Sequence, residues 1–296
     1  MLGKIVVVGV GLIGGSFALA LKRGGAVASV VGLGRGRANL DAALKLGVVD
    51  RAYTLEGSWR GEMTDADLVM LATPVGQMPA MFAAIAPHLR AATVITDAGS
   101  TKQNVVAAAR AHLGSALSRF VPGHPIAGTE HSGAAAAFES LFRGKNALLT
   151  PLPETLPSAV ERVAECWRVC GARVGHLTPA RHDELFAAVS HLPHVLAFAL
   201  VSELASRPDA DEYFRYAASG FRDFTRLAAS DPEMWRDICL ANGEAVRREL
   251  NAYRAELERI DRLLAAADGG AMNALFASAR EARRAWLAAH RGSEEV

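Results

Sequence analysis

The sequence predicts an α/β domain with a doubly wound parallel sheet, followed by an all-α domain, and the order of its apolar segments carries this prediction. In the first half, short β-branched apolar runs alternate with Ala- and Leu-rich helical stretches, which is typical of parallel βαβ units. From Pro179 onward these runs disappear, and apolar residues recur at helical spacing. We therefore expect one domain over residues 1–178 and a second over residues 179–296.

The strands of the predicted sheet correspond to short apolar runs. We expect them at residues 4–8, 29–32, 68–71, 94–96 and 119–122, because parallel strands covered on both faces are nearly continuous in Val, Ile and Leu. Two further runs, at residues 147–150 and 173–177, flank a helical stretch at 157–169. They are predicted to extend the same sheet, so that the first domain ends near Thr178.

The composition favours a protein that acts on small molecules. Its 296 residues include 32 Lys and Arg against 31 Asp and Glu, a formal net charge of +1, which leaves no strong field to attract nucleic acid or an anionic membrane. The three cysteines form no CxxC pair and show no zinc-ligand spacing, so we expect a reducing compartment and no metal site. No secretory signal follows Met1, and we expect a cytoplasmic protein.

The most apolar later stretch, residues 189–204, is predicted to be a buried helix of a soluble protein. Four residues interrupt its apolar run: His191, Pro193, His194 and Glu203. A membrane-spanning helix needs about 20 consecutive, predominantly apolar residues. We therefore expect no membrane-spanning segment here.

A glycine-rich motif directly after the first predicted strand indicates a dinucleotide site. Its six residues are Gly9, Val10, Gly11, Leu12, Ile13 and Gly14. In such a motif the first glycine permits a tight turn, the second lets the backbone approach the pyrophosphate, and the third allows close packing of helix on strand. A strand before the motif and a helical stretch after it complete the pattern of a Rossmann-type domain. A plain glycine-rich turn is the alternative.

The end of the second predicted strand bears on the choice between NAD and NADP. NAD-selective sites usually carry Asp or Glu there to hold the ribose hydroxyls, but this chain has Gly34, with Arg35 and Arg37 beyond it. Guanidinium groups pair with a 2′-phosphate through charge-assisted hydrogen bonds, so we predict NADP. The alternative is NAD held by backbone groups. Thr73, after the third predicted strand, is expected on the nicotinamide side or in a plain turn.

Two loops after later strands supply candidates for proton transfer. Residues 97–102 and 123–130 follow consecutive predicted strands and should open on the cofactor crevice. Oxidation of an alcohol needs a group that accepts the hydroxyl proton, and histidine suits this work near neutral pH. We therefore predict His124 as the catalytic residue, oriented by the hydroxyl group of Ser100.

Several separated segments of the chain resemble the prephenate/arogenate dehydrogenase family. They are residues 9–16, 97–102, 124–130, 190–194, 220–226 and 230–235, and they fall in the family's order. The resemblance implies a reaction in which hydride leaves the ring carbon that bears the hydroxyl group, CO2 leaves the opposite carbon, and the ring becomes aromatic. It also implies a helical domain that binds substrate and dimerises, and hence a homodimer.

The resemblance assigns further residues to the substrate site. It implies that Arg226 binds a substrate carboxylate, which suits the planar guanidinium, and that His194, Thr129 and Glu130 complete the pocket. For His194, as for His191 nearby, a buried structural histidine is the alternative.

Arg222 and Trp235 are additional candidates for the substrate site. For Arg222 the alternative is an ion pair with the adjacent Asp223, and for Trp235 it is packing in the core. No residue decides between prephenate and arogenate as the substrate.

Two other functions remain open from the sequence. A hydroxyacid or imine reductase shares the layout of a Rossmann domain before a helical dimerisation domain, but such reductases typically use a lysine on the first long helix, and residues 181–206 contain none. A non-catalytic NADP-sensing protein would keep the glycine motif without needing Ser100, His124 and Arg226 together.

Overall fold

The first half of the chain folds around a parallel sheet in the computed structural model, which describes residues 1–129 and 131–290. The strands are β1 (Leu2–Val8), β2 (Val27–Gly34), β3 (Arg51–Thr54), β4 (Leu68–Leu71), β5 (Val94–Asp97) and β6 (Phe120–Val121). Their order across the sheet is β3-β2-β1-β4-β5-β6, and every pairing is parallel. This is the strand order of doubly wound dinucleotide-binding domains, and it confirms the predicted Rossmann-type sheet.

Helices cover both faces of this sheet and form the later part of the chain. In the described residues they are α1 (Leu12–Arg23), α2 (Arg37–Lys45), α3 (Met78–Ile85), α4 (Gln103–His112), α5 (Pro157–Val169), α6 (Pro179–Phe186), α7 (Leu192–Ala205), α8 (Ala210–Tyr216), α9 (Ser219–Thr225), α10 (Pro232–Ala241), α11 (Gly243–Ala265) and α12 (Gly269–His290). The predicted all-α second part is confirmed.

Alternate side chains of the central strand enter two separate cores. Ile5 and Val7 belong to the core on one face, and Val6 and Val8 to the core on the other. All four are at most 1% exposed, which explains why β1 is continuously apolar from Ile5 to Val8 rather than alternating. Burial on both faces fixes the position of the loop that follows Val8.

The two later strand predictions were right in position but wrong in the sheet to which they belong. Strands β7 (Gly123–Pro125), β8 (Asn146–Leu149) and β9 (Arg173–His176) form a separate three-stranded sheet in the order β7-β8-β9. Pro122, between β6 and β7, has no backbone N–H to donate to a sheet, and beyond it β7 pairs antiparallel with β8. The parallel sheet therefore ends at β6. The sequence prediction also missed β3, whose residues are only partly buried.

The predicted buried helix at residues 189–204 is less buried than expected. A helical stretch runs from Pro179 to Ala205 through a π-helical turn at Ala187–His191, and only 17% of its most apolar window is buried in the described chain. By length and composition alone this helix is apolar enough to cross a bilayer, which is weak support for a membrane role. Its polar residues His182, Asp183 and His191 are among the buried ones.

The chain divides into two compact units, Met1–Gly243 and a second that begins at Glu244. The predicted boundary after Thr178 lies inside the first unit. There, Trp235 and Ile238 of α10 belong to one of the two cores of the parallel sheet, so α10 packs with the sheet. The division into compact units does not test a domain boundary, so the boundary at Thr178 stays a prediction.

Candidate active site

The glycine-rich loop after β1 has the geometry that a dinucleotide requires. Gly9 adopts a φ of 97°, and a Cβ atom at Gly14 would lie 2.2 Å from the carbonyl oxygen of Gly9, so neither position accepts a side chain. A Cβ atom at Gly11 would meet nothing within 4 Å. Gly11 is also the N-cap of α1, with no side-chain cap and no acidic residue in the first turn. The first N–H groups of α1, at Leu12 and Ile13, therefore remain available for phosphate oxygens.

The two arginines predicted to select NADP lie beyond the end of β2. Arg35 and Arg37 are both exposed, and Nε of Arg37 is 2.9 Å from Oδ1 of Asp41 on the next turn of α2. A side chain at Gly34 would contact only the mobile end of Leu40, at 3.3 Å. The arginines are thus accessible to a ligand, and Arg37 already has a carboxylate partner that a phosphate would have to replace.

The loops after β1, β4, β5 and β6 are in contact with one another. A Cβ atom on Gly9 would lie 3.0 Å from the backbone nitrogen of Thr73, and one on Gly99 would lie 3.0 Å from Cγ1 of Val75. The backbone nitrogen of Gly123 donates to Oδ1 of Asp97 at 3.1 Å. The carboxyl ends of the strands therefore form one continuous rim, on which Thr73 is part-buried.

A buried ion pair fixes the backbone next to His124. Lys102 and Asp97 are both 0% exposed, and their side chains pair directly. Nζ of Lys102 also donates to the carbonyl oxygen of Gly123 at 2.6 Å, and Oδ2 of Asp97 accepts from the backbone nitrogen of Gly99 at 2.8 Å. The pair joins the loop after β5 to β7, because both of its members hold Gly123.

His124 is part-buried on β7 and pairs with a second histidine. Its Nδ1 lies 2.8 Å from Nε2 of His182, and Nδ1 of His182 lies 2.8 Å from Oδ1 of Asp183. His182 and Asp183 are at most 1% exposed. We expected Ser100 to orient His124; on the Nδ1 side of the ring that position belongs to His182, while Ser100 is part-buried and its backbone hydrogen-bonds His191.

Burial sets the charge of this cluster. It lowers the pKa of His124 well below its usual range, and the nearby charges of His182, Lys102 and His191 act in the same direction. Burial also lowers the pKa of His182, although Asp183 opposes the shift. For Asp183 burial raises the pKa, but hydrogen bonds from His182, Gln103 and Lys102 outweigh it and hold the pKa low. At neutral pH the histidines are therefore neutral and Asp183 is a carboxylate.

Four of the residues predicted for the substrate, His194, Arg222, Trp235 and Arg226, lie on α7, α9, α10 and the turn after α9. The imidazole of His194 stacks on the indole of Trp235, with ring centroids 3.4 Å apart and planes 18° apart. Nδ1 of His194 is 2.9 Å from the carbonyl oxygen of Ser190, which leaves Nε2 for a ligand. The charge of Arg226 contributes to the lowered pKa of His194, after burial and against the Ser190 bond. The guanidinium of Arg226 therefore lies within electrostatic range of the His194 imidazole.

Of the residues predicted for the substrate, Arg222 and Thr129 are exposed, whereas Trp235 is buried. The side chain of Arg222 is 79% exposed and faces Asp223 at 3.6 Å, which agrees with the ion-pair alternative. Trp235 is 8% exposed, and its Nε1 has no partner among the described residues. Thr129 is exposed and accepts a hydrogen bond from the backbone nitrogen of His131 at 3.2 Å. Glu130 lies outside the described residues.

The sequence prediction passed over four residues that the structure places in this cluster: Lys102, His182, Asp183 and Asn242. One signal was present in the sequence. His182 and Asp183 precede Phe186 by four and three residues, which is the spacing of side chains on one face of a helix. An acid and a histidine that share a helix face with an apolar residue are rarely buried unless they have a partner.

The comparisons with known proteins agree with this geometry. Residues 17–176 match the family model described as the nucleotide-binding domain of prephenate dehydrogenase, and residues 178–278 match the one described as its dimerization domain. A cyclohexadienyl dehydrogenase of Zymomonas mobilis is 34% identical over 97% of each chain. A prephenate dehydrogenase of Bacillus subtilis is 37% identical over 96% of this chain and 76% of its own.

A solved structure resembles the fold as a whole. It is a prephenate dehydrogenase of Aquifex aeolicus in complex with hydroxyphenyl propionate and NAD+. The TM-score is 0.89 at 35% identity, and the match covers 96% of this chain and 98% of the other. These matches confirm the predicted family and the use of a nicotinamide dinucleotide. The chain therefore belongs to the prephenate dehydrogenase family of oxidoreductases.

Proposed function

We propose that this chain oxidises and decarboxylates prephenate or arogenate, with His124 as the residue that accepts the proton of the ring hydroxyl. The observation that supports this most directly is the state of His124 on the rim: its Nδ1 is occupied, its pKa is held low, and it stays neutral at pH 7. A neutral imidazole with a free nitrogen is what a general base requires.

The proposed residue roles follow the order of the reaction. The N–H groups at the start of α1 hold the pyrophosphate of the cofactor, and Thr73 lines its nicotinamide side. The bound cofactor supplies the hydride acceptor. Arg226 binds a substrate carboxylate, while His194 offers Nε2 and Trp235 fixes its ring by stacking. The electron pair of the breaking carbon–carboxylate bond enters the ring, CO2 leaves, and aromatisation supplies much of the driving force.

We further propose that the chain prefers NADP to NAD. Position 34 has no carboxylate to repel a 2′-phosphate, and Arg35 and Arg37 are exposed beside it. A charge-assisted contact contributes about 1.5 to 3 kcal/mol, or roughly ten- to a hundred-fold in affinity. Replacing both arginines with Ala should therefore raise the KM for NADP and leave that for NAD nearly unchanged. Equal or better use of NAD by the unmodified protein would disprove this preference.

The experiment that tests the function is a spectrophotometric assay of prephenate and arogenate, each against NAD+ and NADP+. We expect turnover with at least one pair, accompanied by release of CO2. His124→Asn should lower turnover by about 10²- to 10⁴-fold, the usual scale for a lost general base, with cofactor affinity retained. Absence of turnover in all four combinations, by a protein that binds cofactor, would refute the proposal.

We propose that this enzyme is located in the cytoplasm and that it forms a homodimer. The near-neutral composition and the three unpaired cysteines Cys166, Cys170 and Cys239 suit a reducing compartment. Fractionation of cells that express the tagged protein at native level tests the location, since recovery in a membrane fraction would contradict it.

A further inference from the structure

Three side chains form a row that begins at His124 and ends inside the protein. Nδ1 of His124 faces Nε2 of His182, and Nδ1 of His182 faces Oδ1 of Asp183, with 2.8 Å in each contact. The ring of His182 stacks on Phe186, with centroids 4.5 Å apart and planes 29° apart. This stacking, together with the two hydrogen bonds, fixes the plane of a fully buried imidazole.

The far end of the row is anchored by the backbone of another helix. Oδ1 of Asp183 accepts from the backbone nitrogen of Lys102 and Oδ2 from that of Gln103, each at 2.8 Å. These are the first N–H groups of α4, where a negative charge is favoured. Asp183 is therefore a fixed carboxylate, which has acceptor atoms only.

The position of every proton in the row follows from this anchor. Because Asp183 can only accept, Nδ1 of His182 carries a hydrogen. A neutral His182 then presents a lone pair at Nε2, so Nδ1 of His124 must be the donor in the contact between the two rings. Nε2 of His124 is consequently left without a hydrogen, and it is the nitrogen available to a substrate hydroxyl.

We infer that His182 and Asp183 are positioning residues that hold His124 in the tautomer with a free base at Nε2. This inference rests on the proposed function, because it assigns the proton that His124 accepts. An Asp–His pair acts similarly in serine proteases, where the acid holds the imidazole in the correct tautomer and stabilises its protonated form. Here a second imidazole stands between the acid and the base.

The row also provides for the charge that develops during turnover. The hydroxyl proton moves to Nε2 of His124, and the Nδ1 proton of His124 shifts toward Nε2 of His182, so that the positive charge lies against Asp183. Both shifts reverse when the ring oxygen recovers its proton on aromatisation, so the residues end as they began. Lys102 and His191 oppose this charge, while Asp97 and Asp183 favour it.

The test uses two substitutions at His182 and a direct measurement of the tautomer. Leu at this position removes the acceptor for Nδ1 of His124, whereas Gln can accept there through Oε1. We expect His182→Leu to lower kcat by about 10²- to 10⁴-fold with little change in the KM of either substrate, the scale of a wrong tautomer. His182→Gln should recover at least about tenfold of that loss. His176→Gln, at an exposed histidine, is the matched control.

The tautomer itself is read by 15N NMR of histidine-labelled protein, with the His124 signals assigned from their loss in His124→Asn. We expect a protonated Nδ1 and an unprotonated Nε2 at pH 7, and the reverse or a mixture in folded His182→Leu. A wild-type His124 protonated at Nε2 would overturn the inference, as would wild-type kcat in His182→Leu. The spectrum needs no turnover, so it determines the tautomer even if neither substrate reacts. A lack of reaction with both substrates would refute the proposed function but not the inference about the tautomer.

Discussion

Burial lowers the pKa of four histidines, His124, His182, His191 and His194. His191 is 1% exposed and is held between Asn242, whose Nδ2 is 3.2 Å from its Nδ1, and the backbone of Ser100. Burial lowers its pKa to about 4, although Asp183 acts in the opposite direction. Such a residue stabilises the native state only while it is neutral.

The acid sensitivity of the fold should therefore depend on His191. The unfolded chain takes up this proton near pH 6.5, whereas the native chain does so only near pH 4, so stability is lost as the pH falls through that window. The share of His191 in the free energy of unfolding is about 2 kcal/mol between pH 7 and pH 5. The test is denaturant unfolding at pH 7 and pH 5. The difference in the free energy of unfolding between the two pH values should be smaller in His191→Gln than in the wild type, by about 2 kcal/mol. His112→Gln, at an exposed histidine, should leave it unchanged, and an equal loss in all three proteins would contradict the prediction.

Arg226 should contribute to substrate binding more than to the chemical step. It is exposed at the start of a short 3-10 helix, Arg226–Ala229, and its charge is felt at His194. Removing a charge-assisted partner costs about 1.5 to 3 kcal/mol, so Arg226→Ala should raise the substrate KM roughly ten- to a hundred-fold while kcat changes little. Steady-state kinetics measures this, with Arg215→Ala on the exposed face of α8 as the control. An unchanged KM would remove Arg226 from the substrate site.

The sequence pointed to His124 but not to its partners, for a physical reason. His124 and Ser100 stand in loops directly after predicted strands, where ligands bind in such sheets, so position alone marks them. His182 and Asp183 come from α6, and their contact with β7 and α4 depends on how that helix packs. Separations of 58 residues to His124 and 81 residues to Lys102 leave no local pattern that would reveal the contacts.

At the scale of elements, strands buried on both faces were predictable and short, partly covered strands were not. β1 contains the continuous apolar run Ile5–Val8 and β4 is apolar throughout, because both strands contribute to the cores on the two faces of the sheet, and β5 begins with the buried apolar pair Val94 and Ile95. β3 lies at the edge of its sheet and reads Arg-Ala-Tyr-Thr, which has no such run. The assignment of β8 and β9 failed because an apolar run shows that a strand is buried, but not which sheet it joins.

The glycine-rich loop allows a prediction that separates folding from cofactor binding. A methyl group at Gly14 would be 2.2 Å from a backbone oxygen of the loop, whereas one at Gly11 would enter open space. Gly14→Ala should therefore lower the melting temperature and abolish cofactor binding. Gly11→Ala should melt like the wild type and weaken the cofactor Kd by at least about tenfold, because its methyl group occupies the approach to the first turn of α1. Thermal unfolding and fluorescence titration distinguish the two, and equal effects would argue against this geometry.

At the scale of the whole molecule, the helical part exposes apolar side chains that a soluble chain normally covers. In the described residues Val189 of the π-helical turn is 68% exposed, and Tyr216 and Leu240 are each 75% exposed. Only 17% of the most apolar window of the long helical stretch Pro179–Ala205 is buried in the described chain. A second protein surface accounts for this exposure without a membrane, since the same stretch carries the buried His182, Asp183 and His191.

We predict that the covering surface is a second copy of this chain. Along α11, apolar residues recur at helical spacing, from Val246 through Leu250, Leu257 and Ile260 to Leu264, yet Leu257 and Leu264 remain 48% and 58% exposed. An apolar stripe of this kind is the usual contact surface of obligate homodimers, and its residues fall in the segment that matches a dimerization domain.

Light scattering should give twice the chain mass of 31.3 kDa at micromolar concentration. Leu257→Glu should shift the mass toward the monomer because it places a charge inside the contact, whereas Arg262→Glu, exposed on the opposite face of α11, should leave it unchanged. A wild-type mass of one chain at that concentration would refute the dimer, and a dimer insensitive to Leu257→Glu would place the contact on a different face.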